Sequence, residues 1–353
     1  MGELPLPGDV KAARRLVRRH CPAVPGVYGM IDAEGQLIYV GKAKALVDRL
    51  QSYFSAAAEL KAQRIVQHAR RLVWEPAPHE FIALVRELEL IRRFLPRFNS
   101  RGRPRRRSRT YLAFGPEPAA RLVLDFDPPA GASAVYGPLR STRHTRRLAQ
   151  LAIDHFRLRT CVETAPIGPA ARCLRRELGL CLAPCSDGCS LADYARQVRA
   201  ADDFLSGRDS SPLGQLEAAM HAAAAAERFE HAAVARDAWT GLAELQAMLR
   251  RVREVRRGWR FVYPLPGFGG REIWFLIDGG QLAGAVRAPG DAAAADRCRA
   301  LLDAVYQAAP RSEDPTGDED ADMLLLLCEW FRRYPAELAR TMPPDAARLR
   351  LPR

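Results

Sequence analysis

Apolar positions along the chain change their period several times, and each change marks a new element. Between Gly26 and Gly41 two short apolar runs flank Ala33, Glu34 and Gly35, which predicts two strands joined by a turn. A helix is expected from about Ala45 to Tyr53. A second is expected from about Glu80 to Phe94, where Leu84, Leu88, Ile91 and Leu95 recur at helical spacing before Pro96 ends the run. Strand-like stretches follow at Thr110–Phe114 and Arg121–Phe126, then a helix ahead of Cys161. From Leu213 to about Arg257 the chain is strongly helical, with a break near Arg228 and an alanine run at 222–226. Glu272–Ile277 and Leu282–Arg287 around Gly279 and Gly280 then give a hairpin signal; an acidic stretch and a helix ending before Pro335 follow.

Charge narrows the partners. Lys and Arg number 54 against 41 Asp and Glu, a net charge of +13. Such an excess favours polyanions, nucleic acid before anionic membrane. The longest apolar run, Met323–Cys328, has six residues, far short of the ~18 that a spanning helix needs. No charged-then-apolar leader is visible at Met1–Leu4, so a cytoplasmic location without membrane attachment is expected. In that reducing compartment eight cysteines favour metal or cluster binding over disulfides.

Hydrolysis of a phosphodiester needs a base for the attacking water, a cation on the developing charge and stabilisation of the leaving oxygen. The segment before residue 100 supplies a candidate for each. Tyr28 and Tyr39, eleven residues apart on paired strands, can face one cleft. A phenol, with its pKa of about 10, needs a neighbouring cation to act as a base, and Lys42 is placed to be that cation. Arg49, a turn into the following helix, can hold a phosphate oxygen. Glu87 borders the apolar face of its helix, a costly place for an unpaired carboxylate, which a divalent metal would justify. Each element alone has a plainer explanation: two tyrosines on a hairpin usually pack, and a helix-edge glutamate usually pairs with an arginine such as Arg86 or Arg93. Their order and spacing together carry the reading.

The stretch PGVYGMIDAEGQLIYVGKAKALVDRLQSYF resembles the GIY-YIG signature in the form carried by the UvrC family. Gly26-Val27-Tyr28 stands for the first triplet and Tyr39-Val40-Gly41 for the second, followed by Lys42, Arg49 and Tyr53. HEFIALVRELELIRRFLPRFN resembles the family's next helix, with Glu87 at the metal-ligand position; Asn99 closes the motif twelve residues on. The resemblance implies single-metal, one-strand DNA cleavage with Mg²⁺ or Mn²⁺. It implies a tyrosine as base, an arginine on the phosphate and a glutamate on the metal, and assigns Tyr28, Tyr39, Lys42, Arg49, Tyr53 and Asn99 to catalysis. Which tyrosine is the base stays open. Ala45, Val47 and Asp48 depart from the usual pattern without touching those roles. The implied fold is an α/β (α+β) GIY-YIG nuclease domain over residues 1–100, then a basic DNA-contacting linker over 101–160. A cysteine-rich, mostly helical domain (161–210), a helical hairpin (211–257) and a small C-terminal α+β unit of unknown role (258–353) follow.

Seven arginines fall within thirteen residues: Arg97, Arg101, Arg103, Arg105, Arg106, Arg107 and Arg109. So dense a cluster repels itself unless it is solvated or meets an anion, so a charged loop and a phosphate-tracking strip both fit it. Arg143, His144, Arg146 and Arg147 form a second basic cluster. No base-reading motif accompanies them, so recognition is expected to follow DNA shape or a partner. Cys161, Cys173, Cys181 and Cys185 stand at intervals of twelve, eight and four, unlike the paired C-x-x-C of zinc ribbons. All-cysteine ligation equally suits a 4Fe-4S cluster. The intervals agree with the UvrC family's cluster ligands, which implies iron–sulfur, with zinc as the alternative. Cys189 falls outside the pattern, and Cys21, Cys298 and Cys328 read as packing residues.

FEHAAVARD resembles the core of the UVR motif, the hairpin through which the family meets UvrB; Phe229, Glu230, Ala232, Ala233, Arg236 and Asp237 match. An alanine-lined face lets a second hairpin approach closely, although packing within the chain is the commoner use of such a helix. A UvrB-like partner is implied. The family's further RNase H-like and helix-hairpin-helix modules need well over ~200 residues, and fewer than 100 follow Arg257. The acidic group Glu313, Asp314, Asp318, Glu319, Asp320 and Asp322 reads as a solvated loop rather than a two-metal site. The resulting expectation is a DNA-repair endonuclease that nicks one strand of damaged duplex DNA on the 3′ side in nucleotide excision repair, leaving the 5′ cut to another enzyme. Two rivals stand beside it: a non-catalytic adaptor for UvrB and DNA, and a mobile-element or restriction GIY-YIG nuclease.

Overall fold

The computed structural model describes residues 1–55, 57–99, 109–161, 173–308 and 321–352. Arg101, Arg103, Arg105, Arg106 and Arg107 lie outside the described residues, as do Glu313, Asp314, Asp318, Glu319 and Asp320.

The first unit runs β1 (Gly2–Pro5), α1 (Val10–His20), β2 (Gly26–Ile31), β3 (Leu37–Ala43), α2 (Leu46–Tyr53), α3 (Leu60–His68), β4 (Arg71–Pro76) and α4 (Glu80–Phe94). Its sheet has the order β1-β4-β2-β3, antiparallel throughout, so β3 is an edge strand. The central strand β2 is buried on both faces. Tyr28 and Met30 enter a core with Val17, Leu46, Leu50 and Ile65, whereas Val27, on the other face, meets Ala83 of α4. Helix α1, absent from the sequence expectation, starts where the Asp9 carboxylate accepts from the amides of Lys11 and Ala12. Helix α4 stops at Leu95, whose φ of 47° is left-handed, just ahead of Pro96.

The middle unit contains β5 (Arg109–Phe114), β6 (Leu122–Asp125), β7 (Ala134–Arg140), α5 (Arg143–His155), α6 (Leu174–Glu177), α7 (Leu191–Ser206), α8 (Ser211–Ala225) and α9 (Phe229–Gly258). One core holds Leu112 and Phe114 of the sheet, Leu148 and Ala152 of α5, Phe204 of α7, and Leu242, Leu245 and Leu249 of α9. Stretches that look like separate linker, cysteine-rich and hairpin segments therefore share an interior. The reason is the length of α9: its 30 residues carry the second half of the hairpin back across α5 and α7.

The last unit comprises β8 (Arg260–Pro266), β9 (Glu272–Asp278), β10 (Gln281–Arg287), α10 (Ala292–Tyr306), α11 (Ala321–Arg333), α12 (Pro335–Leu338) and α13 (Pro344–Leu349). Gly279 and Gly280, with φ of 58° and 79°, make the tight turn of the expected hairpin. Alternation sorts the sheet's two faces. Val262, Trp274 and Leu276 pack against α10 and α13, while Phe261, Tyr263, Phe275 and Ile277 pack against α11 and against Phe81, Val85 and Leu88 of α4. Helix α4 is thus held between the two sheets. Asp322 stands in the first turn of α11 with its side chain 15% exposed, not in the solvated loop expected of it.

Candidate active site

Three tyrosines meet at the end of the first sheet. Tyr28 and Gly41 are register partners across β2 and β3, and the Tyr28 ring lies over the glycine. A Cβ at position 41 would sit 2.5 Å from the Tyr28 hydroxyl oxygen, so the second triplet needs glycine to leave room for the first triplet's tyrosine. The Tyr28 and Tyr53 hydroxyls are hydrogen-bonded at 2.9 Å, and Arg49 donates from Nε to the Tyr28 oxygen at 3.3 Å. Tyr39 completes the cluster, its ring centroid 6.1 Å from that of Tyr28 and 6.0 Å from that of Tyr53. The Arg49 guanidinium lies 5.2 Å from the Tyr53 ring centroid.

This geometry has electrostatic consequences. Burial pushes the Tyr28 phenol well above its ordinary range, and the Tyr39 ring adds to the rise; hydrogen bonds from Tyr53 and Arg49 pull it back in part. Burial raises Tyr53 in the same direction, with Tyr28 and Tyr39 adding to it. For Arg49, burial disfavours the charge, but the surrounding phenols outweigh it and hold the guanidinium charged.

The cation beside Tyr28 is therefore Arg49, not Lys42. Lys42 pairs with Glu80 at 3.6 Å, and Lys44 reaches the same carboxylate at 3.0 Å. The cause is strand parity: Lys42, three residues from Tyr39, stands opposite Val27 on the face that α4 covers. Asn99 acts as a tie. Its side chain accepts from the Val40 amide and donates to the Val40 carbonyl, both at 2.8 Å, pinning the segment after α4 to the edge strand.

Because β3 is at the sheet edge, residues of both faces reach one cavity of about 920 Å³. Tyr28, Tyr39, Arg49 and Tyr53 line it together with Lys42, Asn99 and the half-buried Glu87 of α4. Every residue expected in catalysis lines this wall, as does Glu87, expected at the divalent metal. Four further charged residues line it that the sequence reading did not place there: Lys61, whose ammonium lies 5.4 Å from the Tyr39 ring centroid, Glu59, Arg140 and Asp322. Arg140 and Asp322 come from the middle and last units, and only packing across the chain brings them there.

Comparison with known proteins follows this division. The sequence model of the UvrC-like GIY-YIG domain matches residues 24–100, and that of the UvrC/Cho excinuclease middle domain matches residues 110–204. The chain belongs to the UvrC family. UvrABC system protein C of Alcanivorax borkumensis is 36% identical over 230 residues, 65% of this chain and 37% of that protein. Its counterpart in Sphingopyxis alaskensis is 34% identical over 270 residues, 76% of this chain and 42% of that protein. This UvrC-family chain spans about two fifths of the length of the curated relatives it matches. The N-terminal GIY-YIG endonuclease domain of UvrC from Thermotoga maritima, solved with its catalytic magnesium, is 35% identical; the match covers 24% of this chain and 94% of that one at a TM-score of 0.23.

Other UvrC-like features fall outside the cleft. Arg97 pairs with Asp32 at 3.3 Å, and Arg109 opens β5; the arginines between them lie outside the described residues. Cys161, Cys173, Cys181 and Cys185 are neighbours. Burial raises the Cys181 and Cys185 thiols, and the nearby thiols raise them further, Cys161 being hydrogen-bonded to Cys185. Among the described residues, however, no three His, Cys, Asp or Glu are arranged to hold a metal ion, so neither iron–sulfur nor zinc is supported by this geometry. Helices α8 and α9 pack as the hairpin expected of a UVR motif. None of residues 229–240 of α9 is fully buried: Phe229 is 69% exposed and Val234 70%. Glu230 is exposed, Ala233 half-buried, and Arg236 pairs with Asp237 at 2.9 Å. No helix among the described residues is long and apolar enough to cross a membrane.

Proposed function

We propose that this UvrC-family chain is a divalent-metal-dependent DNA endonuclease that nicks one strand, on the 3′ side of a lesion, in nucleotide excision repair. The observation that carries the reading is the single cavity in which Tyr28, Tyr53, Arg49 and Glu87 meet. Tyr28 takes the proton of the attacking water, with the Arg49 guanidinium beside its oxygen to favour the phenolate. Arg49 also reaches a phosphate oxygen, and Lys42 and Lys61 add positive potential to the walls. Glu87 is the residue to hold Mg²⁺ or Mn²⁺. The Glu87 carboxylate, on a cavity wall with phenol and amide oxygens and with Glu59 and Asp322 also lining it, suits a hard cation that keeps several waters and takes its remaining ligands from phosphate. When bound, such an ion supplies charge to the scissile phosphate.

The exposed tip of the α8–α9 hairpin supports a UvrB-like partner. Phe229 and Val234 offer apolar anchors there, and the chain itself covers neither. A metal group on Cys161, Cys173, Cys181 and Cys185 rests on their spacing and mutual proximity alone.

The test is nicking of a lesion-containing duplex with Mg²⁺, with and without a UvrB-type partner. A single 3′-side nick that the partner stimulates supports both chemistry and pathway. A nick at lesion-independent sites favours a mobile-element or restriction role, and partner binding without any nick favours the adaptor.

A further inference from the structure

Helix α1 turns its apolar side inward and cations outward. Ala13 and Val17 are buried, and Leu16 packs against the same core, which also holds Tyr28, Leu50 and Tyr53. Between Lys11 and Arg19 every exposed position is basic: Lys11, Arg14, Arg15, Arg18 and Arg19. At about 3.6 residues per turn these five share one continuous face. The helix contains no acidic residue, and among the described residues none of the five side chains forms a hydrogen bond or an ion pair. Lys11–Arg15, Arg14–Arg18 and Arg15–Arg19 are like-charged neighbours four positions apart, an arrangement that destabilises a helix. The helix dipole offsets this for Arg18 and Arg19 in the last turn, but at Lys11 in the first turn it adds to the cost. A polyanion laid along the face turns the repulsion into attraction. A DNA strand presents a phosphate every ~3.4 Å along its axis, so the ~12 Å from Lys11 to Arg19 passes about three of them. An anionic membrane fits less well, because the apolar side that would enter the bilayer is already occupied by the protein's own core. A protein partner would look for apolar or aromatic anchors, which the exposed positions from Lys11 to Arg19 do not include. Helix α1 packs against α2, the helix that carries Arg49 and Tyr53 of the cleft.

We propose that the outer face of α1 is a DNA-tracking surface, on which Lys11, Arg14, Arg15, Arg18 and Arg19 hold backbone phosphates of the duplex that enters the cleft, without reading its bases. The inference deepens the nuclease reading and rests on it. The tyrosine cluster and Arg49 carry the chemistry at one phosphodiester, while α1 holds the duplex at others and contributes equally before and during cleavage.

The test uses the whole chain. Duplex affinity is followed against salt in EDTA, and steady-state nicking is followed with Mg²⁺. Arg14→Gln combined with Arg18→Gln should flatten the log–log salt slope by about 1.8 and raise KM for DNA about tenfold with kcat unchanged. Its melting temperature should not fall, because exposed like charges have been removed, so weakened binding cannot be put down to unfolding. Arg14→Lys combined with Arg18→Lys, which keeps both charges, should retain the wild-type slope. An unchanged slope in the charge-removed variant overturns the proposal and leaves α1 a solvated face. Wild-type binding to phosphatidylglycerol vesicles that this variant loses, with its DNA slope intact, overturns it in favour of a membrane. A flattened slope with unchanged KM also overturns it, because the duplex on α1 would then not be the one in the cleft. If the wild type binds DNA without nicking it, the nuclease reading fails, and the slope still decides whether α1 touches phosphate.

Discussion

In the candidate nuclease cleft the side chains proposed to react stand on β2, β3, α2 and α4, regular elements whose packing settles where each one points. The four cysteines stand on very different backbone: Cys173 precedes the four-residue α6, Cys185 sits in a single 3₁₀ turn, and Cys161 and Cys181 are in loops. Both constellations are visible as spacing. In the cleft that spacing becomes a buried 2.9 Å hydrogen bond between hydroxyls; in the cysteine segment it becomes proximity without a closed ligand set. Spacing converts to geometry where secondary structure supplies the ruler. Across loops a bound group has to supply the closing energy itself.

The comparison can be broken or sharpened by experiment. Glu87→Ala should have the largest effect, slowing nicking about a thousandfold or more while leaving duplex affinity within about threefold. Normal nicking by that variant, measured under single turnover, would remove Glu87 from the reactive wall. Next comes pH. Burial holds Tyr28 above its ordinary value, so the phenol form predominates around neutrality. The nicking rate should therefore climb about tenfold per pH unit through the neutral and mildly alkaline range, and Tyr28→Phe should flatten that climb. The same shift has a consequence for stability. A folded-state pKa above the unfolded value contributes stability that is full below about pH 10 and lost as pH rises through the folded value. Alkaline melting should accordingly be less steep in Tyr28→Phe.

On the cysteine side, protein purified without oxygen should contain a metal group. Cys181→Ser with Cys185→Ser should lose it and lower the melting temperature by about 5 °C or more. Colourless, metal-free wild-type protein that melts with the double variant would show that this spacing denotes no metal site. The smallest effect belongs to Lys42→Ala. Its carboxylate partner, Glu80, keeps Lys44, and a half-exposed ion pair contributes under about 1 kcal/mol, so nicking should fall no more than about fivefold. A larger loss would return Lys42 to the reacting group.

Much of the first unit is legible in the sequence. The helix from Glu80 to Phe94 and the hairpin around Gly35 follow from apolar period and turn chemistry, and the whole expected catalytic set reaches one cavity. Two matters of detail escape that reading. The partnership of Lys42 with Tyr28 was open to correction from strand parity alone, since an odd separation from Tyr39 puts it on the other face. Helix α1 was obscured because its arginine-rich sequence buries only Ala13 and Val17. The remaining differences are long-range. Nothing local in 258–353 indicates that Phe261, Tyr263 and Phe275 complete a core with Phe81 and Leu88 of α4, and so steady the helix that bears Glu87. Arg140 and Asp322 enter the cavity by the same kind of tertiary packing, which carries no periodic signature.

The central claim is that the Tyr28–Tyr53–Arg49 cluster is a phosphodiester-cleaving site. Single-turnover nicking of duplex DNA with Mg²⁺ by wild type, Tyr28→Phe and Arg49→Ala tests it most directly. The account predicts a nick by the wild type and a loss of about a hundredfold or more in each variant, with duplex binding retained. Equal nicking by all three proteins would contradict it.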